Sequence, residues 1–153
     1  MNNQATDATT ANSSLQILIV EDESLVAMMI EDMLTDLGHQ VVATSGRMAD
    51  ASKLASDASA DLAILDVNLN GEETYPLAAS LAARKIPFIF ATGYGTSGIR
   101  AEWSGVPVLQ KPFQSRELAA AIRYPMPRLL LTNSPMIAPM SAAGSVMRMA
   151  VTI

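Results

Sequence analysis

The chain has 153 residues, of which 50% are hydrophobic and 16% charged, a composition typical of a folded domain and not of a disordered chain. Its net charge of -5 argues against binding of nucleic acid, because the overall field repels phosphate backbones. The absence of cysteine excludes disulfides and thiolate metal sites. No apolar run reaches the roughly 18 residues of a membrane span, and the first residues do not resemble a secretory signal. We therefore expect a cytoplasmic protein that binds neither nucleic acid nor membranes.

Residues 1–14 are small and polar, and we expect them to form a disordered N-terminal tail. From Leu15 onwards, short apolar runs alternate with amphipathic stretches, a pattern typical of strand–helix units in a parallel sheet. The predicted strands cover residues 15–20, 40–44, 61–67, 86–92 and 106–109. The predicted helices cover residues 25–37, 48–56, 77–83 and 115–123, and residues 96–104 have room only for a short fifth helix. Residues 124–153 contain four prolines and break this pattern, so we treat them as a C-terminal extension of unknown structure.

Several large side chains allow an expectation about packing. Met28, Met29 and Met33 recur in the first predicted helix, where we expect them to pack against the sheet. Trp103 is expected to pack the short helix onto the sheet, with a partner anchor as the alternative. Tyr94 fits a position at the rim of a pocket and simple exposure on a loop equally well.

Polar side chains lie at the ends of four predicted strands. Glu21 and Asp22 follow the first strand, Asp66 ends the third, Thr92 ends the fourth, and Lys111 follows the fifth. Because ligands bind outside the carboxyl ends of parallel strands, we expect these side chains to meet in one pocket.

The residue types in this pocket indicate a particular chemistry. Clustered carboxylates stay ionised only when a cation offsets their repulsion, and Mg²⁺ prefers oxygen ligands from one or two carboxylates together with phosphate. A carboxylate is also able to attack phosphorus as a nucleophile, while a metal ion, a fixed lysine and a hydroxyl stabilise the transferring group. The set therefore predicts phosphoryl transfer onto a carboxylate, with Mg²⁺ as the cofactor.

Four segments resemble, in order and spacing, the motifs of response-regulator receiver domains, the CheY-like family. They are residues 17–23 (ILIVEDE), 65–68 (LDVN), 91–93 (ATG) and 111–113 (KPF). The resemblance covers about residues 15–123, which we therefore expect to form a receiver domain. It implies an α/β, flavodoxin-like fold, a five-stranded parallel sheet in the order 2-1-3-4-5 with helices on both faces.

The resemblance also implies roles for individual residues. Asp66 would accept the phosphoryl group from a histidine kinase. The magnesium ligands would be Asp22 directly, Glu21 through water, Asp66, and Asn68 through its backbone carbonyl. Thr92 and Lys111 would bind the phosphoryl oxygens. The peptide bond before Pro112 would be cis.

These roles imply a single-domain response regulator in a two-component phosphorelay. It would be a switch and not an enzyme with an external substrate. It would signal through contact with an unknown protein target or act as a phosphate sink.

Residues 88–95 (FIFATGYG) look like the signature of the FATGUY receivers, a subgroup of stand-alone regulators paired with histidine kinases of the HWE or a related type. Two departures from the commoner receiver pattern agree with this subgroup: Asn70 stands where a proline is usual, and the fourth helix must be short. Val108 occupies the place of the aromatic residue that many receivers use as a switch. The sequence therefore does not identify the switch residues.

Simpler explanations exist for each residue alone, for example a capping cluster at a helix start for residues 21–23. These explanations do not hold for all the residues together, because four coincidences would have to meet at one sheet edge.

The main alternative function is a magnesium-dependent phosphohydrolase of the haloacid-dehalogenase class, which also forms an aspartyl phosphate. That class has its nucleophile on the first strand and a second aspartate two residues later, whereas here Asn68 follows Asp66 at that distance. A third alternative is an interaction module that is never phosphorylated.

Overall fold

The computed structural model describes residues 14–123, so the predictions for the tail (apart from Ser14) and for the C-terminal extension lie outside the described residues. The strands in this part of the chain are β1 (Gln16–Val20), β2 (Gln40–Ser45), β3 (Leu62–Asp66), β4 (Asn68–Leu69), β5 (Glu72–Glu73), β6 (Phe88–Thr92) and β7 (Val108–Gln110). The α-helices are α1 (Ser24–Asp36), α2 (Met48–Asp57), α3 (Tyr75–Ala83) and α4 (Ser115–Arg123). None of these helices is long and apolar enough to cross a membrane.

The main sheet has five parallel strands in the order β2-β1-β3-β6-β7. This is the predicted 2-1-3-4-5 order, because β4 and β5 form a separate small hairpin. The central strands β3 and β6 are buried along their whole length, as near-continuous apolar runs covered on both faces should be. All five strands run in the same direction, so the residues that follow them lie along one edge of the sheet.

Helices cover both faces of this sheet, as predicted. On one face α1 and α4 pack through Ile30, Leu34 and Leu118 against apolar side chains of β1, β3, β6 and β7. On the other face α2 and α3 pack against the alternate side chains of the strands, together with aromatic residues. Trp103 is buried there, with its ring centroid 5.6 Å from that of Phe88, which confirms its predicted core packing.

Helix α1 exposes more apolar surface than the sequence indicated. Its buried residues are Ala27, Ile30 and Leu34, and Met33 packs against them while partly exposed. Met28 and Met29 are 59% and 50% exposed, so the prediction that they pack against the sheet is wrong. The physical reason is that a helix lying on a sheet buries only a narrow stripe, and these two methionines lie outside it.

Two short features follow the third and fourth strands of the sheet. Strands β4 and β5 form an antiparallel hairpin that the sequence analysis did not predict. The predicted short helix over residues 96–104 is present only as two 3-10 turns, Gly95–Gly98 and Ala101–Trp103. Both features lie at the same edge of the sheet as the predicted pocket.

Candidate functional site

The predicted pocket residues meet at the carboxyl ends of the strands. Lys111 Nζ lies 2.6 Å from Glu21 Oε2 and 3.0 Å from Asp66 Oδ2, so one ammonium group pairs with both carboxylates. Carboxylate oxygens of Glu21, Asp22 and Asp66 lie within 4.8 Å of one another, which is close enough to hold a metal ion. The structure therefore brings together side chains from three separate places in the sequence.

Local hydrogen bonds fix the two buried carboxylates. Glu21 Oε1 accepts a hydrogen bond from the Glu23 backbone N–H at 3.2 Å. Asp66 Oδ1 accepts one from the Asn68 backbone N–H at 3.1 Å. The hydroxyl of Thr74, which is completely buried, donates to the carbonyl oxygen of Asp66 at 2.6 Å. Asp66 is thus held through both its side chain and its backbone.

Burial and charge shift the ionisation of the pocket. Desolvation raises the pKa of Glu21 above its ordinary value, and the negative charge of Asp66 adds to this shift, while the hydrogen bond from Lys111 opposes it. Burial alone would lower the pKa of Lys111, but its hydrogen bonds to Glu21 and Asp66 outweigh burial and raise that pKa. When all four groups are ionised, three carboxylates against one ammonium leave an excess of two negative charges. Such a pocket fits a divalent cation.

Thr92 and Asn68 lie beside Asp66. All three line a cavity of about 230 Å³, and Asp66 also faces a larger cleft of about 760 Å³ that it shares with Lys111 and Asp22. Thr92 Oγ1 accepts a hydrogen bond from the Tyr94 N–H at 3.1 Å. Thr92 also anchors Lys111, whose backbone N–H donates to the Thr92 carbonyl at 2.8 Å. Five of the six predicted site residues therefore line the two cavities that meet at Asp66, and the sixth, Glu21, is buried beside them against Lys111.

Two further features bear on the sequence predictions. The peptide bond between Lys111 and Pro112 is cis, as predicted. Tyr94 is 81% exposed and lines both cavities, so it is at once a rim residue and an exposed loop residue.

Three residues that contact the site were missed by the sequence analysis: Gly46, Asn70 and Thr74. The Asn70 backbone N–H donates to Asp22 Oδ2 at 3.0 Å. A Cβ on Gly46 would lie 3.1 Å from both Asp22 Cα and the Glu21 carbonyl oxygen, so only glycine fits there without displacement. An Asn-Gly pair is a recognised hairpin signal and would have indicated the turn at Asn70. The sequence holds no comparable signal for Thr74.

Comparison with known proteins identifies the family. The profile described as Response regulator receiver domain matches residues 17–123. The chain belongs to the response regulator receiver family. Receiver domains bind Mg²⁺ at an acidic pocket, and the carboxylates of Glu21, Asp22 and Asp66 form such a pocket here.

Individual receivers are similar over most of the described part of the chain. The transcriptional regulatory protein PdtaR of Mycobacterium tuberculosis is 31% identical over 117 residues, which cover 74% of this chain and 57% of PdtaR. The phyllosphere-induced regulator PhyR of Methylorubrum extorquens is 31% identical over 119 residues, which cover 73% of this chain and 43% of PhyR. The chain thus spans about half the length of these curated relatives.

Solved receiver structures agree with the fold. The solution structure of SdrG from Sphingomonas melonis Fr1 is 48% identical, covers 72% of this chain and 94% of the SdrG chain, and superposes with a TM-score of 0.66. A BeF3-activated conformation of SdrG has a TM-score of 0.63, with 49% identity over 72% of this chain and 96% of that one. These relatives are signalling regulators by name or by family.

Proposed function

We propose that this receiver accepts a phosphoryl group from a histidine kinase on Asp66 and signals through contact with a protein target, or alternatively holds phosphate as a sink. The observation that supports this most directly is the pairing of Lys111 with Asp66 and Glu21 at 3.0 and 2.6 Å, in a pocket with a third carboxylate. The resemblance of residues 88–95 to the FATGUY signature supports a cytoplasmic response regulator of that subgroup, and the SdrG chain, 94% of which is covered, is similar over nearly its whole length.

The proposed transfer uses the residues as the structure arranges them. An Asp66 carboxylate oxygen forms a bond to phosphorus while the bond from phosphorus to the kinase histidine nitrogen breaks, and that nitrogen keeps the electron pair. Thr92 lies with Asp66 in the smaller cavity and Lys111 lies with Asp66 in the larger cleft, and in this proposal both bind the phosphoryl oxygens. The Asn68 N–H at Oδ1 fixes the orientation of the attacking carboxylate. The products are an aspartyl phosphate and the kinase histidine, which becomes neutral when a proton from solvent takes the place of the phosphoryl group on its nitrogen.

The donor set fits magnesium. We assign Asp22 as a direct ligand, Glu21 as a ligand through water, and Asp66 and the Asn68 carbonyl as the remaining protein ligands, because hard oxygen donors suit this ion. When bound, Mg²⁺ would offset the two excess negative charges of the pocket and the charge of the incoming phosphoryl group.

A docking surface for the kinase lies beside the pocket. Leu25, Met28 and Met29 on α1 are 76%, 59% and 50% exposed, and Met29 lines the same cleft as Asp66. An exposed apolar strip of this kind marks a protein interface. A helix of the kinase packed on this strip would bring its phosphohistidine to Asp66. The subgroup resemblance favours a kinase of the HWE or a related type.

The test is labelling from purified, autophosphorylated histidine kinases. We expect Asp66→Asn to abolish labelling while leaving the melting temperature close to that of the unmodified protein, because an amide oxygen is a poor nucleophile. Asp57→Asn, an exposed aspartate on α2, is the matched control and should be labelled normally. Labelling of Asp66→Asn at a comparable rate would refute the assignment. Turnover of a generic phosphate ester by the unmodified protein would instead favour the haloacid-dehalogenase alternative.

A further inference from the structure

The tip of the β4–β5 hairpin contacts the carboxylate of Asp22. The backbone N–H of Asn70 donates a hydrogen bond to Asp22 Oδ2 at 3.0 Å. The side-chain amide of Asn70 reaches the carbonyl of Gly46 at 3.4 Å, and Gly46 itself packs against the backbone of Asp22. The hairpin tip therefore contacts Asp22, which is one of the three carboxylates of the acidic cluster.

The direction of this N–H is set by the turn and not by a side-chain rotamer. Asn70 and Gly71 have φ angles of +50° and +90°, and the strands pair on either side of them. Two consecutive positive φ values are typical of the two-residue type I′ hairpin turn, which favours Asn-Gly. Asn68 Oδ1 accepts the Gly71 N–H at 2.8 Å and holds the turn from inside.

The buried side chain of Leu69 anchors the hairpin. Leu69 lies in the same apolar cluster as Tyr75 and Leu77 at the start of α3. The hairpin that carries the backbone N–H of Asn70 is therefore short, but it is fixed to the apolar core through Leu69.

A ligating carboxylate needs an outer partner to keep its orientation. Hydrogen bonds to metal ligands fix their geometry, and removing such a partner typically weakens metal binding about 10- to 100-fold. With Oδ2 of Asp22 held by the Asn70 amide, Oδ1 remains for a metal ion. We propose that the Asn70–Gly71 turn positions Asp22 and is therefore part of the magnesium site. This inference rests on the proposed function, in which Asp22 is a direct ligand.

The test compares magnesium affinity in pairs of variants, by calorimetric titration of the full chain with MgCl₂. Proline is usual at this position in other receivers, but in the hairpin turn of this chain it would lack the N–H and could not adopt the φ of +50°, so we expect Asn70→Pro to raise the Kd for Mg²⁺ about 10-fold here. Asn70→Gly keeps both the N–H and the turn and should stay within about 2-fold of the unmodified protein, because it loses only the contact with Gly46.

A second pair covers the case in which Asn70→Pro does not fold. Gly71 and Gly38 have φ values of +90° and +88°, and a Cβ added at either would have no other atom within 4 Å. Gly71→Ala and Gly38→Ala therefore impose a similar backbone strain, the first in the turn and the second at the C-terminal end of α1. Both should lower the melting temperature, but only Gly71→Ala should weaken Mg²⁺ binding. The amide resonance of Asn70 should also shift when Mg²⁺ is added to the unmodified protein.

The outcomes separate the inference from the function on which it rests. If the unmodified protein does not bind Mg²⁺, or if Asp22→Asn binds it equally well, the proposed metal site itself fails. If Asp22→Asn loses binding while Asn70→Pro and Gly71→Ala retain full affinity, only the positioning role is overturned. Equal losses in Asn70→Gly and Asn70→Pro would also overturn it, because the side chain and not the backbone amide would then be responsible.

Discussion

Lys111 determines the charge balance of the pocket. Its ammonium group contacts Glu21 and Asp66 at once, and its raised pKa keeps it positive through the neutral range. In the metal-free protein it therefore occupies the position of a counter-ion. In the proposed transfer the same group would bind the phosphoryl oxygens, so we expect Mg²⁺ binding and phosphorylation to depend on Lys111 in opposite ways.

We expect Lys111→Met to bind Mg²⁺ several-fold more tightly while losing most phosphorylation. Removal of the ammonium leaves the three carboxylates without their internal partner, which increases their attraction for a divalent cation. Calorimetric titration measures the first effect and labelling by the kinase the second. Lys53→Met, at an exposed lysine on α2, is the control and should change neither. Weaker magnesium binding by Lys111→Met would contradict this account.

The sequence predicted the pocket residues well, for a topological reason. Asp66 and Lys111 are separated by 45 positions, yet both follow strands of one parallel sheet, and the strand order places their ends at a common edge. The contribution of Asn70 could not be predicted in the same way, since it acts through its backbone N–H. The direction of that N–H depends on the turn conformation. Thr74 was missed because its hydrogen bond to the Asp66 carbonyl exists only once the hairpin has formed.

At the scale of elements, the segment after β6 has one anchored end and one exposed end. The Tyr75 hydroxyl donates to the Gly98 carbonyl at 3.2 Å and accepts the Arg100 N–H at 3.1 Å. The Arg100 guanidinium pairs with Glu73 at 2.6 Å, and Trp103 is buried beyond it. In contrast, Tyr94 at the other end is almost fully exposed. We therefore expect residues 93–97 to change conformation more readily than residues 98–103, which these contacts hold.

We expect phosphorylation of Asp66 to order residues 93–97. Thr92 precedes this segment and lies beside Asp66, so movement of its hydroxyl to donate to the phosphoryl group would also move the oxygen that accepts the hydrogen bond from the Tyr94 N–H. Such ordering of a loop is a known kind of switch, and it would replace the aromatic residue absent at Val108. NMR relaxation on the free and beryllofluoride-bound forms measures the change. Equal rigidity of residues 93–97 in both forms would reject the mechanism, as would full target binding by Tyr94→Ala.

The elements that the sequence predicted correctly are those with a continuous apolar run or a helical apolar pattern. Strands β3 and β6 are buried at every position, and the four α-helices bury apolar residues on one face. Strands β4 and β5 have only two residues each, too few for any period to appear. The exposure of Met28 and Met29 was missed for a different reason: helical spacing shows which residues share a face, but not how wide the buried stripe is.

At the scale of the molecule, the described site lies at one edge of the parallel sheet and in the β4–β5 hairpin beside it. The predicted site residues lie between Glu21 and Lys111, and both apolar clusters are formed by residues of the described part of the chain. The chemistry proposed for Asp66 therefore needs no residue beyond that part.

Deletion of residues 124–153 is expected to leave phosphorylation of Asp66 nearly unchanged. The reason is that every group assigned to the transfer lies between Glu21 and Lys111, within the described part of the chain. Labelling by the kinase and the melting temperature of the shortened protein, compared with those of the full chain, provide the measurement. A large fall in either would show that the extension packs on the receiver domain and contributes to its stability.

The sheet separates the two apolar clusters, and this separation has an evolutionary consequence. One cluster supports α1 and the proposed kinase surface, whereas the other contains Trp103 and the anchored end of the loop. Side chains that share no partners usually contribute additively to the free energy of unfolding. Substitutions on the α1 surface would therefore be able to change the preferred kinase without changing the packing around Trp103 on the other face of the sheet. The choice of input and the means of output are open to selection as separate traits.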